Sequence, residues 1–422
     1  MVTKKVNMGN LILSFSDALD LANSKIAGHQ QRTAYISLKF CELADLPEQT
    51  TINVFIAALL HDIGALSIKE KIALHEFEEK NTYNHCIRGE LLLKRFDLFQ
   101  DISEIVKYHH NKWDEFNPDV DKSVVMASQI VNLSDHIERL IKKNENILTQ
   151  TDRIIDTINS YSRNLFNPQI VEYFKRISKN ESFWLDIISP KIYSQLLNDG
   201  PLKDVSIDLV HLETISKLFR DIIDFKSSYT AAHSVGVSTC AEIIGRNVGL
   251  PDADIFNLKV ASNLHDLGKL VIQNEILDKK EPLTEPEYQI MKSHPYYSYH
   301  IIRTIKGLEN IADMAGFHHE RLDGTGYPFH LRAKDLSIGS RIIIISDIFT
   351  ALVEDRPYRA GMTKQYALKV LKDLNDRNKL DESIYDTAVK NYSMIYDYVM
   401  SLESSIKEFY IARIEKLALD VN

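Results

Sequence analysis

Apolar residues recur at helical spacing along most of the chain. Ile52, Phe55, Ile56, Leu59 and Leu60 form one such face and run straight into His61; Ile255, Leu258, Ala261 and Leu264 form another and run into His265. The stretch "LTEPEYQIMKSHP" reads as a helix start: Thr284 stands as N-cap, Pro286 falls in the first turn and Glu287 lies three residues past the cap. Pro295 places the end of that helix near His294. "RIIIIS" (341–346) taken alone suits a strand, but the apolar spacing on through "DIFTALV" suits a buried helix as well. Near the C-terminus Ile395, Val399, Leu402, Ile406 and Phe409 alternate spacings of four and three, which predicts a helix with a seam able to pair two chains as a homodimer or to pack back on its own domain. The fold class expected is all-α.

The pattern occurs twice. "AALLHDIGALSIKEK" (57–71) and "ASNLHDLGKLVIQNE" (261–275) are related, with their His-Asp pairs 204 residues apart. His29 and His233 share that offset. His85 matches His294, and His109–His110 match His318–His319, at an offset of 209; Asp135 matches Asp347 at 212. Offsets that creep upward indicate one duplicated unit with small insertions in the loops of the second copy. The expected domains are residues 1–198 and 204–422, joined by "LNDGPLKD" (197–204), where Asn, Asp, Gly and Pro cluster.

A chain of 422 residues has room for two such domains, and 44% hydrophobic with 26% charged residues supplies ample core. The net charge of −9 argues against tracking a nucleic-acid polymer through its phosphates, though not against a small anionic ligand held by local cations. Apolar stretches such as "INVFIAALL" (52–60) are too short to span a membrane, and no signal-peptide cleavage pattern is evident. Cys41, Cys86 and Cys240 have no metal-type or redox-type spacing and read as buried thiols of a cytoplasmic protein.

The recurring polar residues of the second unit are His233, His265, Asp266, His294, His318, His319 and Asp347. Five imidazoles and two carboxylates suit iron, manganese, zinc, cobalt or nickel rather than calcium. Seven ligands exceed the need of one transition metal but fit two that share a bridging carboxylate, an arrangement able to acidify a water and neutralise an in-line phosphoryl displacement. Asp266, directly after a histidine, is the candidate bridge. A lone histidine is more often a cap or surface residue, and His75, His136, His211, His300 and His330, which do not recur, are read that way. Seven matched positions in diverged sequence are not explained by packing, because cores do not favour charged side chains.

"HDLGK" (265–269), followed by "HHERLDGTGYP" (318–328) and "DRPYR" (355–359), resembles the HD-GYP domains of bacteria, a branch of the HD phosphohydrolase superfamily. The resemblance implies tandem all-α HD-type domains and two or three metals, iron before manganese. It also implies hydrolysis of a cyclic dinucleotide, chiefly cyclic di-GMP, to the linear dinucleotide or GMP. Carried over by residue, it assigns one metal to His233, His265, Asp266 and Asp347, and the other to Asp266, His294, His318 and His319. Tyr229 stands where three-metal members carry glutamate, which favours two metals. Lys269 takes the place of the group that contacts the scissile phosphate or protonates the leaving oxygen. Tyr327 lines the mouth on a loop that, in some members, also meets diguanylate cyclase domains. Arg356 and Arg359 match phosphate-gripping positions.

The first unit keeps His29, His61, Asp62, His85, His109, His110 and Asp135 as a second candidate metal site. Ala65 replaces the lysine there, and neither a Gly-Tyr-Pro turn nor a "DRPYR" match follows. A regulatory or structural copy is expected. The alternatives to cyclic di-GMP hydrolysis are a different cyclic dinucleotide, such as cyclic GMP-AMP, and a non-catalytic nucleotide-binding adaptor.

Overall fold

The computed structural model describes residues 5–21, 26–74, 83–227, 232–354 and 360–409. Almost all regular structure is helical; among the described residues the strands are two dipeptides, Val6–Asn7 and Ser206–Ile207. The chain divides into two compact units, one of Asn7–Ser206 and one beginning at Ile207. No helix among the described residues is long and apolar enough to cross a membrane.

In the first unit, helix His29–Leu43 lies against Glu48–Leu60 and Lys122–Arg139. Its core is aromatic as well as aliphatic, with Phe15, Phe40, Phe166 and Phe174 fully buried. The apolar face read from Ile52 to Leu60 lies in helix Glu48–Leu60, so the chain reaches the interior as it arrives at His61.

In the second unit, helix His233–Val248 packs against Asp252–Leu264, Ile338–Val353 and Tyr392–Phe409. "RIIIIS" belongs to helix Ile338–Val353. Ser337 caps that helix by accepting a hydrogen bond from the Ser340 amide, and Ile342 to Ile345 are all fully buried. Four consecutive buried isoleucines erase the helical period, which is why the stretch by itself looked equally like a strand. Around Pro295 the chain does more than end a helix. Glu285–Met291 stops, and a new helix, His294–Arg303, begins with Pro295 in its first turn, where its missing N–H costs nothing. Upstream, Glu287 Oε2 accepts from the Thr284 amide at 2.7 Å and from its hydroxyl at 2.8 Å.

The first half of the C-terminal seam packs inside the unit. Tyr392, Ile395 and Val399 are buried, and Gly236 lets Val399 approach helix His233–Val248: a Cβ there would lie 3.2 Å from Val399 Cγ1. Ile395 and Val399 therefore face their own domain rather than a second chain. The side chains of Ile406 and Phe409 lie outside the described set.

Candidate metal centre

The second unit's histidines sit at helix ends. His233 and His294 open helices, His265 closes Asp252–Leu264, and His318 follows Glu309–Gly316. The last carbonyls of a helix have no intrahelical donor, and a ring one turn later can supply one. Accordingly His265 Nδ1 donates to Ser262 O (2.8 Å), His294 Nδ1 to Met291 O (2.7 Å) and His318 Nδ1 to Ala315 O (2.6 Å). His233 Nδ1 instead donates to Glu354 Oε2 at 2.9 Å. With the proton held on Nδ1, each Nε2 turns inward unprotonated, the form in which an imidazole ligates a metal.

Those nitrogens converge on Asp266. Its Oδ2 lies 3.3 Å from His265 Nε2 and 3.9 Å from His233 Nε2, while its Oδ1 lies 3.2 Å from His294 Nε2 and 3.8 Å from His318 Nε2. Asp347 Oδ1 faces His233 Nε2 at 3.2 Å and its Oδ2 faces His319 Nδ1 at 3.6 Å. His318 and His319 diverge from one backbone turn, their ring centroids 4.3 Å apart and their planes 44° apart. The donors group as His233, His265 and Asp347 on one side and His294, His318 and His319 on the other, with Asp266 between.

This donor set fits a pair of divalent transition metals. His265 Nε2 is buried without a hydrogen-bond partner, an orphan that a cation would satisfy. Burial pushes the Asp266 carboxyl up, but His265 and Lys269 beside it outweigh burial and hold it well below the usual carboxylate range. Asp347 is likewise held low against burial, by His233 and His319. Burial, with imidazole neighbours, keeps His318 well below its ordinary value and His319 down at about 3. Ionised carboxylates and neutral imidazoles are the forms that ligate.

Lys269 Nζ lies 2.6 Å from Asp266 Oδ2, with its side chain 16% exposed. Its 3-10 turn, Leu267–Val271, is pressed against His294: a Cβ on Gly268 would stand 2.0 Å from His294 O, so only glycine fits. Lys226 fixes the turn from beneath, donating to the carbonyls of Lys269, Leu270 and Ile272 at 3.0, 2.7 and 2.6 Å. The Tyr327 ring lies over His319 with centroids 4.9 Å apart, and Lys292 Nζ stands 5.4 Å from the Tyr327 centroid. The loop is anchored by buried Glu320, which accepts from the Phe329 and Leu331 amides at 2.7 and 2.9 Å. Arg356, Arg359 and Tyr229 lie outside the described residues.

The first unit reproduces the cluster. Asp62 Oδ2 lies 3.4 Å from His61 and 3.7 Å from His29, and its Oδ1 lies 3.6 Å from His85 and 3.9 Å from His109. Asp135 Oδ1 faces His29 at 3.4 Å, and His110 joins Asp62, His85 and His109 within one group of donors.

A family model described as an HD domain matches residues 14–170 and again 217–384. The chain belongs to the HD domain family. Among curated HD relatives, the 3′3′-cGAMP-specific phosphodiesterase 1 of Vibrio cholerae serotype O1 is 27% identical, over 93% of this chain and 93% of its own length. The 3′3′-cGAMP-specific phosphodiesterase 3 of the same organism is also 27% identical, over 94% of this chain and 97% of its own. A cyclic di-GMP phosphodiesterase of Pseudomonas aeruginosa is 33% identical, but over only 38% of this chain and 39% of its own. The crystal structure of a cyclic GMP-AMP-specific phosphodiesterase from V. cholerae superposes with a TM-score of 0.63 at 23% identity, covering 93% of this chain and 99% of that one. That likeness confirms the all-α fold.

Several residues that build each HD site escaped the sequence reading. Glu354 and Glu138, which hold the first histidine of each site (Glu138 Oε2 to His29 Nδ1, 2.6 Å), stand at different distances from the helix aspartate, so no common offset marks them. Asp20 and Asp224 do recur at 204. Each accepts from the amide just after the first histidine, Gln30 N at 2.9 Å and Ser234 N at 3.0 Å, and burial pushes their carboxyls up to about 6 and about 7. Gly64 and Gly268 recur as well, each pressed onto the carbonyl of the third histidine.

Proposed function

We propose that this protein is a divalent-metal-dependent phosphodiesterase and that its second HD unit hydrolyses 3′3′-cyclic GMP-AMP in preference to cyclic di-GMP. The observation that carries the reaction is Asp266, whose two oxygens face two separate groups of imidazoles beside a partly exposed lysine. The substrate preference rests on the relatives. Those that match this chain nearly end to end are named for 3′3′-cGAMP, whereas a relative named for cyclic di-GMP matches about two-fifths of it. The expectation of cyclic di-GMP drawn from the motifs gives way on that ground, because HD and GYP motifs set the reaction and not the bases.

Divalent metals, iron first and manganese second, would be held by the seven ligands and supply Lewis acidity and a lowered pKa of water. The protein's own contribution is orientation and proton traffic. Carbonyl bonds to three Nδ1 atoms, and Glu354 to the fourth, fix the ligand faces before substrate arrives. Hydrolysis breaks a phosphorus–oxygen bond of the cyclic diester; the water oxygen joins phosphorus and the departing ribose oxygen takes a proton. Lys269 is the donor or phosphate contact at that step, since its ammonium is pinned beside Asp266 yet reaches solvent. Tyr327 offers an aromatic wall next to His319, suited to a purine face. The first unit, which has Ala65 in place of the lysine, serves a regulatory or structural role.

The test is turnover of purified full-length protein, reconstituted with Fe(II) or Mn(II), on 3′3′-cyclic GMP-AMP, cyclic di-GMP and cyclic di-AMP. Fastest hydrolysis of the mixed dinucleotide is expected, abolished by Asp266→Ala and largely kept in Asp62→Ala. Faster hydrolysis of cyclic di-GMP would overturn the preference, and binding without turnover of any of them would favour the adaptor.

A further inference from the structure

The two HD units share a ligand framework almost distance for distance. The first histidine lies 3.4 Å from the helix aspartate in one and 3.2 Å in the other, and the third and fourth histidines face each other at 3.3 and 3.1 Å. What differs is where each unit puts its cation. The second unit places Lys269 on Asp266, with its side chain 16% exposed. In the first unit the matching position is Ala65, and the cation comes from Arg139, one helical turn after Asp135.

Arg139 is buried, and both of its terminal nitrogens are engaged. One terminal nitrogen lies 3.1 Å from Asp135 Oδ2 and 3.0 Å from His136 Nε2, the other donates to the Leu74 carbonyl, and the side chain is only 2% exposed. His136 is itself buried, its Nδ1 2.9 Å from Asn132 O and its ring edge-on to Phe166. The second unit has Ala351 and Ile348 in place of Arg139 and His136. There the corresponding aspartate oxygen, Asp347 Oδ2, faces His319, whose side chain is 23% exposed.

We propose that the first unit is a metal centre in its own right, holding a divalent transition metal as a permanent structural element, and that Arg139 seals it. A buried carboxylate oxygen, Asp62 Oδ1, has no hydrogen-bond partner, and it faces the imidazoles of His85 and His109 at 3.6 and 3.9 Å. Arg139 neutralises Asp135 but leaves this oxygen unsatisfied. An uncompensated buried carboxylate is costly, and a cation among Asp62, His85, His109 and His110 removes that cost. A guanidinium that is 2% exposed and whose terminal nitrogens already hold a carboxylate, a ring and a carbonyl is not presented to a phosphate. With four protein donors in one group, the arrangement has the donor count of a structural site, where a catalytic site keeps an open position.

Metal binding, not turnover, tests this, so its failure would leave the phosphodiesterase reading standing, and the converse holds too. Full-length Asp266→Ala protein, which lacks the second unit's shared ligand, is stripped, loaded with Mn(II), desalted and assayed for metal by mass spectrometry. Retained metal is expected, lost on adding Asp62→Ala. Release into excess chelator should be slow in Asp266→Ala and faster by about ten-fold or more once Arg139→Gln is added, the scale on which outer-shell partners tune metal sites. Circular dichroism checks folding. If the glutamine variant does not fold, Arg139→Lys, which keeps the charge without the fork, should also speed release. No retained metal in Asp266→Ala overturns the centre, and release equally fast with and without Arg139 overturns the seal.

Discussion

Glu354 offers the most quantitative test of how the second unit holds metal. Its Oε2 accepts from His233 Nδ1 at 2.9 Å, and both side chains are 2% exposed, so water screens the bond little. Glu354→Gln keeps the shape and an accepting oxygen but removes the charge. A hydrogen bond to an ionised group contributes about 1.5–3 kcal/mol and a neutral one about 0.5–1.5 kcal/mol, so the exchange costs about 1–2 kcal/mol. That corresponds to about 5- to 30-fold weaker metal binding. With two metals bound as proposed, the loss should fall on the one that would share His233, His265 and Asp347, leaving the other bound as before. Competition against a chromophoric chelator in an Asp62→Ala background isolates the second unit, and turnover at saturating metal should approach that of the parent. Unchanged metal affinity, or turnover lost at full loading, would refute the reasoning. Glu138→Gln in the first unit should cost less, because Arg32 already shares the Glu138 carboxylate, its Nε 2.6 Å from Oε1.

Lys269→Ala should lower kcat at full metal occupancy with little change in KM, measured by steady-state kinetics, whereas a predominant KM effect would make it a ground-state phosphate contact. Gly268→Ala forces a methyl to within 2.0 Å of His294 O, so the turn must shift; metal affinity and thermal stability should both fall, and an unchanged melting curve would contradict the packing. Truncation after Tyr392 removes buried Ile395 and Val399, each contributing roughly 1.5–3 kcal/mol, and should destabilise the second unit in chemical denaturation. Loss of a dimer by light scattering, with stability intact, would restore the seam to an intermolecular role.

The sequence exposed the residues that gather around Asp62 and Asp266 because the chain carries its own comparison. Each histidine has a counterpart at nearly constant offset, and packing alone does not preserve polar identity in that way. Helix Ile338–Val353 was ambiguous because four buried isoleucines carry no period; the Ser337 cap was the available signal, and it lies outside the apolar run. Pro295 was read as a terminator when it opens the next helix, since proline suits both places. Glu138 and Glu354 were invisible for a different reason: they reach equivalent atoms from non-equivalent positions, so pairing by sequence misses them. Arg139 meets Asp135 and His136 on its own helix and the Leu74 carbonyl on another, and that last contact, which fixes the guanidinium, exists only once the chain has folded.

The carbonyl clamps on the histidines bear on how such a centre survives divergence. In both units a ligand ring is aimed by the backbone of the helix turn it terminates: His61 by Ala58, His109 by Val106, His265 by Ser262 and His318 by Ala315. A backbone carbonyl is present whatever side chain the residue bears. Valine, serine and alanine therefore serve equally well three residues upstream, and those positions are free to drift. The centre is inherited as a set of helix ends rather than as a web of matched side chains. One copy can then carry a partly exposed lysine and the other a buried arginine, while both go on presenting the same nitrogens to the same point in space.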